Sequence, residues 1–204
     1  AKRPASGLCS ICDSKCCAVR RRRAGRKVDC RHFAGIIKRA ERGSYMKRET
    51  YVSMLSKIRK SPVLYGYVVW SDRILTKIYP LFLLYLMVNK KPELGKAILV
   101  PAVSFVVLSI FRYLYDAPRP YEVFDTPSLI RKDTRGKSFP SRHVFSAFVI
   151  AVTVFYTCHP LGIFLGICSL LLAVSRVLGG VHFTKDVLAG AVSGILCGML
   201  LFIL

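Results

Sequence analysis

The chain has 204 residues, 53% of them apolar, and carries 32 Lys and Arg against 11 Asp and Glu for a net charge of +21. So high an apolar share exceeds what a water-soluble domain usually shows and places the chain among membrane proteins. Charge is uneven: residues 1–60 hold 18 basic and 4 acidic residues, net +14, and residues 61–204 hold 14 and 7, net +7.

The first tract, 1–45, contains Cys9, Cys12, Cys16, Cys17, Cys30 and His32, residue types that bind zinc, but their spacing fits no standard finger. Arg20–Arg23 form a basic run suited to an anionic lipid surface or nucleic acid. The tract has no hydrophobic periodicity, and Met46 would make an ordinary start, so 1–45 is expected to be disordered or no part of the native protein. No metal site and no nucleic-acid partner are assigned to it. Residues 1–60 lack the apolar core of a secretory signal peptide, which leaves insertion to the spans that follow.

Residues 46–67 read as an amphipathic interfacial segment, and 68–204 as the membrane domain. Tyr65, Tyr67 and Trp70 suit the interfacial aromatic belt. Apolar runs at 68–88, 95–115, 161–178 and 185–204 approach the roughly 20 residues a spanning helix needs, and a shorter one runs from Ser141 to Cys158. The expected fold is all-α: a polytopic membrane bundle of about five transmembrane helices with an amphipathic N-terminal helix. Asp72, Arg73 and Lys77 open the first span; because an ionisable group at bilayer centre costs roughly 2.5 to 3.5 kcal/mol, they are expected at the interface. Cys158, Cys168 and Cys197 lie singly in apolar runs and read as buried small hydrophobes.

Three polar clusters punctuate these runs. Arg112 closes the second, with Arg119-Pro120 seven positions later and Pro118 between, so the chain must leave the helix there. Two guanidiniums at one interface suit paired phosphate oxygens. A polar loop with Arg131, Lys132, Arg135 and Lys137 leads to Pro140-Ser141-Arg142-His143, a helix start whose exposed N–H groups and dipole attract anions. There the Ser141 hydroxyl can take a phosphate oxygen, and a protonated His143 can donate to a leaving oxygen. Arg176 ends the fourth run, Gly179-Gly180 permits a tight reversal, and His182 stands four residues before Asp186. If the helix reaches back to His182, that spacing sets imidazole and carboxylate on one face, with the carboxylate fixing the tautomer and His182 free to act as nucleophile.

Five spans would bring all three clusters to one side of the membrane, leaving Cys158-His159-Pro160 on the other with a structural histidine. Guanidiniums, two imidazoles and one carboxylate gathered in this way suit transfer of a phosphoryl group to histidine and then to water.

These motifs resemble the type 2 phosphatidic acid phosphatase superfamily, the lipid phosphate phosphatases whose site is shared with vanadium haloperoxidases. The family pattern is Lys-x6-Arg-Pro, then Pro-Ser-Gly-His, then Ser-Arg-x5-His-x3-Asp. The third motif is complete from Ser175 to Asp186, the first has Arg112 in the lysine position, and the second has Arg142 where glycine is usual. The likeness covers about 63–204.

The resemblance implies a metal-independent phosphatase that needs no cofactor, acting on a lipid phosphate or diphosphate: polyprenyl diphosphate, phosphatidylglycerol phosphate or phosphatidate. His182 would attack phosphorus, Asp186 would orient it, and His143 would protonate the departing group and then activate water. Arg112, Arg119, Ser141 and Arg176 would hold the phosphoryl oxygens, with Arg142 adding bulk and charge beside them. The alternatives are a catalytically silent lipid-phosphate binding or transport protein and a haloperoxidase, the latter disfavoured by the apolar spans. Membrane lipids are the expected surroundings. The basic connector Asn89–Lys96 argues for a cytoplasmic position, placing the active site on the outer face of the cell membrane. The oligomeric state is not readable from these residues.

Overall fold

The computed structural model describes residues 46–89, 92–130 and 135–203, with the side chains of 72–78 left out. The cysteine-rich tract 1–45 and the loop residues Arg131 and Lys132 lie outside the described residues. So do Lys90 and Lys91, and the side chains of Asp72, Arg73 and Lys77.

Every described element is a helix: α1 Arg48–Lys60, α2 Pro62–Val88, α3 Leu94–Tyr115, a short α4 Pro120–Val123, α5 Arg142–Thr157, α6 His159–Leu178 and α7 Thr184–Met199, closed by a 3-10 turn Leu200–Phe202. Helix breaks fall where backbone chemistry requires them. Ser61-Pro62 separates α1 from α2, with Ser61 as N-cap and proline in the first turn. The stretch expected as one amphipathic segment over 46–67 is thus divided, and the second helix begins earlier than 68. At the far end of α3, Asp116 takes a left-handed conformation at φ 39°, and Pro118 and Pro120 forbid continuation.

Helix α5 lies at the centre. Along its 16 residues Val144, Phe145, Ala147, Phe148, Val149, Ala151, Thr153 and Val154 are buried. They pack with Phe82, Leu86 and Ala97 from α2 and α3, Leu108 from α3, Leu165 and Ala173 from α6, and Val187 from α7. A helix of that length is about 24 Å long, short of a bilayer's hydrocarbon thickness. Sheathed by neighbours, it meets little lipid and need not match that thickness. Among the described residues three segments are long and apolar enough to cross a membrane, Leu94–Val123, His159–Leu178 and Thr184–Phe202, against the five spans expected. Tyr79–Val88 and Arg142–Thr157 are shorter apolar helices.

The outer faces of the long helices are apolar. Leu99, Val103, Val106, Val107, Ile110 and Leu114 on α3 are all exposed. Unpartnered apolar bands of this extent on helices whose backbone bonds are internally satisfied are the surface of a membrane protein. Cys158 is exposed, and Cys168 and Cys197 are half-buried. The expectation that these three are buried is therefore corrected: as small hydrophobes they are equally compatible with lipid.

Helix α7 approaches α5 through Gly190, Gly194 and Gly198, one turn apart on a single face. A Cβ on Gly190 would lie 2.6 Å from the Ser141 carbonyl oxygen, and one on Gly194 2.7 Å from that of Phe145. Small residues here let two backbones touch, the usual solution for helices in lipid. This close approach sets the start of α5 beside the start of α7. Helix α1 buries Tyr51, Leu55 and Ile58 against Val68, Phe124, Leu129 and Phe183, so its apolar side is used inside the protein, over the loops that join the spans.

Candidate active site

Those loops meet at one end of the bundle. Arg112, in the last turn of α3, is only 5% exposed. Its Nη1 donates to the carbonyls of Pro140 and, at 3.2 Å, Ser138, and its Nη2 donates to that of Lys137. Expected from sequence as a phosphate ligand, Arg112 thus also fastens the loop that carries the second cluster. Arg119 is held differently. Its Nε donates to the Gly136 carbonyl at 3.0 Å, and Nη1 is buried without a hydrogen-bond partner among the described residues. A guanidinium fixed by one nitrogen with another unoccupied is prepared for an anion.

Glu122 fixes that geometry, and the sequence reading passed over it. Its carboxylate accepts from the Arg119 backbone N–H at 2.9 Å and from the Gly136 N–H at 2.9 and 3.1 Å, tying the α3–α4 turn to the loop before α5. Glycine is favoured at 136: its φ is +68°, and a Cβ would lie 2.2 Å from Asp116 Oδ1.

Ser141 is the N-cap of α5, as the motif suggested. It is fully buried, its backbone N–H donates to the Asp186 carbonyl at 2.8 Å, and its hydroxyl has no partner among the described residues. His143, half-buried, follows in the first turn. Arg142 is exposed, with its guanidinium 5.5 Å from the centre of the Phe105 ring on α3.

The third cluster is the most enclosed. Arg176 is 1% exposed, His182 2% and Asp186 1%. Gly180, at φ +71°, reverses the chain after α6, with its carbonyl held by the Tyr51 hydroxyl at 3.0 Å. Helix α7 starts at Thr184, so His182 precedes it rather than forming its first turn. The pair meets nonetheless, because the Asp186 carboxylate folds back to accept from the Phe183 N–H at 3.1 Å and lies 3.6 Å from His182 Nδ1. Ser138, also absent from the sequence reading, sits between them: its Oγ is 2.5 Å from Asp186 Oδ2 and 3.3 Å from His182 Nδ1.

Burial pushes the His182 imidazole down from 6.5 to about 4, and the positive charges of Arg119 and Arg112 act in the same direction while Asp186 opposes them. The ring is therefore neutral at pH 7, with a lone pair available for attack. Electrostatic coupling to both arginines also ties the first cluster to the third. The structure thus links Arg112, Arg119, Ser141, His182 and Asp186 through shared contacts and charge, with Arg142 exposed beside them and its charge acting on Arg112.

The PAP2 superfamily model matches residues 93–204, more than half of the chain. Undecaprenyl-diphosphatase BcrC of Bacillus subtilis (strain 168) is 30% identical over 128 residues, covering 61% of this chain and 66% of that protein. The undecaprenyl-diphosphatase of Sulfolobus acidocaldarius is 29% identical over 117 residues, covering 56% and 57%. The matches thus span between about half and two thirds of the curated relatives' length. The crystal structure of Aquifex aeolicus LpxE superposes with a TM-score of 0.63 at 25% identity, covering 76% of this chain and 94% of that one. With the family model lying over the helices that carry all three clusters, the chain belongs to the PAP2 superfamily.

Proposed function

We propose that this integral-membrane protein is a phosphatase that hydrolyses a lipid phosphate or diphosphate through a phosphohistidine on His182. The observation that carries the reading is a neutral, buried imidazole backed by a carboxylate and flanked by buried guanidiniums. The His182 Nε2 lone pair attacks the terminal phosphorus, forming a P–N bond as the bond to the lipid-side oxygen breaks. His143 gives a proton to that oxygen. In the second half His143 takes a proton from water, the resulting hydroxide attacks phosphorus, and the P–N electron pair returns to Nε2.

Phosphoryl transfer of this kind demands positioning and charge stabilisation above all. Arg119, Arg176 and the Ser141 hydroxyl hold the phosphoryl oxygens. Arg112 adds positive charge and fixes the loop behind Ser141, and Arg142 stays outside the ring. With two guanidiniums holding the transferring group and the charge of a third behind it, no metal ion is called for.

Polyprenyl diphosphate is the favoured substrate, since two curated relatives are undecaprenyl-diphosphatases. The site faces the outside of the cell membrane, with the basic connector between α2 and α3 at the opposite, cytoplasmic end. The test is phosphate release by the purified protein in detergent from polyprenyl diphosphate, phosphatidylglycerol phosphate and phosphatidate, each with and without excess EDTA. Release fastest from the diphosphate and unaffected by EDTA supports the reading. Binding of these lipids with no release from any would make the protein a carrier or receptor.

A further inference from the structure

Asp186 is not the group nearest to Nδ1 of His182. The carboxylate oxygen is 3.6 Å away, beyond hydrogen-bond distance, whereas the Ser138 hydroxyl is at 3.3 Å and itself lies 2.5 Å from that carboxylate oxygen. A hydroxyl has one hydrogen to give and two lone pairs to accept with. The short contact to a carboxylate, which can only accept, takes the hydrogen. A lone pair then faces Nδ1, and the contact is attractive only if Nδ1 carries the ring hydrogen.

Ser138 is well placed for such a duty. It is fully buried; its N–H donates to the Ala117 carbonyl at 2.8 Å, and its own carbonyl accepts from Arg112 Nη1 at 3.2 Å. One residue therefore touches the turn after α3, the arginine of the first cluster and the His–Asp pair of the third. With its backbone pinned on both sides, the hydroxyl has little freedom to leave the space between His182 and Asp186.

We propose that Ser138 is a positioning residue that relays the Asp186 charge to His182, holding the imidazole in the Nδ1–H tautomer so that the Nε2 lone pair faces phosphorus. The inference rests on His182 being the nucleophile, and it adds a third member to the pair the motif supplies. Asp186 then acts on the ring through the serine as well as through its own charge.

The experiment compares Ser138→Ala and Ser138→Thr with the wild-type protein by two readouts. In phosphate release, Ser138→Ala is expected to lower kcat about 10- to 100-fold, the usual loss when a group that orients a reacting ligand is removed. KM should stay within about two-fold, since substrate contacts are untouched. Ser138→Thr, which keeps the hydroxyl, should retain most of kcat. The second readout needs no turnover: nitrogen NMR of isotopically labelled histidine in detergent, with the His182 signal identified by its loss in His182→Asn. Wild type should show Nδ1 protonated, and Ser138→Ala a mixture of tautomers. A wild-type tautomer in Ser138→Ala would overturn the proposal, as would wild-type kcat in that variant. If the wild-type protein releases no phosphate, that failure falls on the proposed function, and the NMR comparison still decides the role of Ser138.

Discussion

The hydroxyl of Tyr51 donates to the carbonyl of Gly180 at 3.0 Å, joining α1 to the reversal that delivers His182. Tyr51 is fully buried, its ring centroid 5.0 Å from that of Phe124 with the two planes tilted by 37°. Burial raises its phenol above the ordinary value of 10.0, so it remains a donor well into alkaline solution. Tyr51→Phe leaves a buried carbonyl unsatisfied and should destabilise by about 1 to 3 kcal/mol. Tyr51→Ala also opens a cavity, for about 3 to 5 kcal/mol. Thermal unfolding in detergent reads both, and an unchanged Tyr51→Ala would detach α1 from the site's support.

Two glycines in the spans should respond oppositely to alanine. Inside a helix the exchange ordinarily gains about 1 kcal/mol. At Gly166 a Cβ meets nothing within 4 Å, so Gly166→Ala should be neutral or stabilising. At Gly190 it meets the Ser141 carbonyl oxygen at 2.6 Å, so Gly190→Ala should lower the melting temperature and displace Ser141, reducing kcat as well. Equal melting temperatures for the two variants would mean that α5 and α7 are not in backbone contact.

Activity should fall with acid through the nucleophile. Since His182 titrates at about 4 rather than 6.5, the neutral ring persists throughout the neutral range. The acid limb of kcat/KM assigned to this group should fall as pH drops through about 4, and Asp186→Asn should move it to lower pH by removing the charge that favours the imidazolium. Folding stability follows the same sign: with the folded value below the unfolded one, the contribution is complete above about 6.5 and lost as pH falls from there toward 4. Unfolding midpoints independent of pH between these values in wild type, compared with His182→Asn, would contradict a buried neutral ring.

Arg119 and Arg142 should separate cleanly. Arg119→Ala removes a buried guanidinium with a nitrogen left for the phosphate, and kcat should drop by about 100-fold or more. Arg142→Gly removes an exposed one lying over Phe105 and should leave most of the turnover. Steady-state kinetics on the same substrate decide the matter, and the opposite order would transfer the phosphate site to the mouth of the bundle.

The all-helical fold and three of the five expected spans were legible for definite reasons, whereas 68–88 and 141–158 hold only the shorter apolar helices Tyr79–Val88 and Arg142–Thr157. Apolar runs announce helices in lipid, and Arg112, Arg119, Arg176, His182 and Asp186 stand out because they gather at the ends of such runs, where ionisable groups reach the interface. Pro118 and Pro120 marked the end of α3, and Gly179-Gly180 the reversal before His182. Ser138 and Glu122 stayed hidden because a serine and a glutamate in a polar loop look like any solvated residue. Only the folded loop reveals that one touches Asp186 and the other holds Arg119. The start of α7 at Thr184 agrees with the apolar run expected from 185, but the helix does not reach back to His182, and the pair meets because Asp186 reaches past the helix start to the Phe183 N–H. Helix α1 read as interfacial because amphipathicity shows a buried face without saying what buries it.

The phosphohistidine itself is best tested by stereochemistry at phosphorus, which does not require the intermediate to accumulate. A lipid substrate whose terminal phosphorus is made chiral with sulfur and oxygen isotopes is hydrolysed in isotopically labelled water, and the configuration of the released thiophosphate is determined. Two in-line displacements, first by His182 and then by water, should give net retention. Net inversion would show direct attack by water and remove His182 from its role as nucleophile.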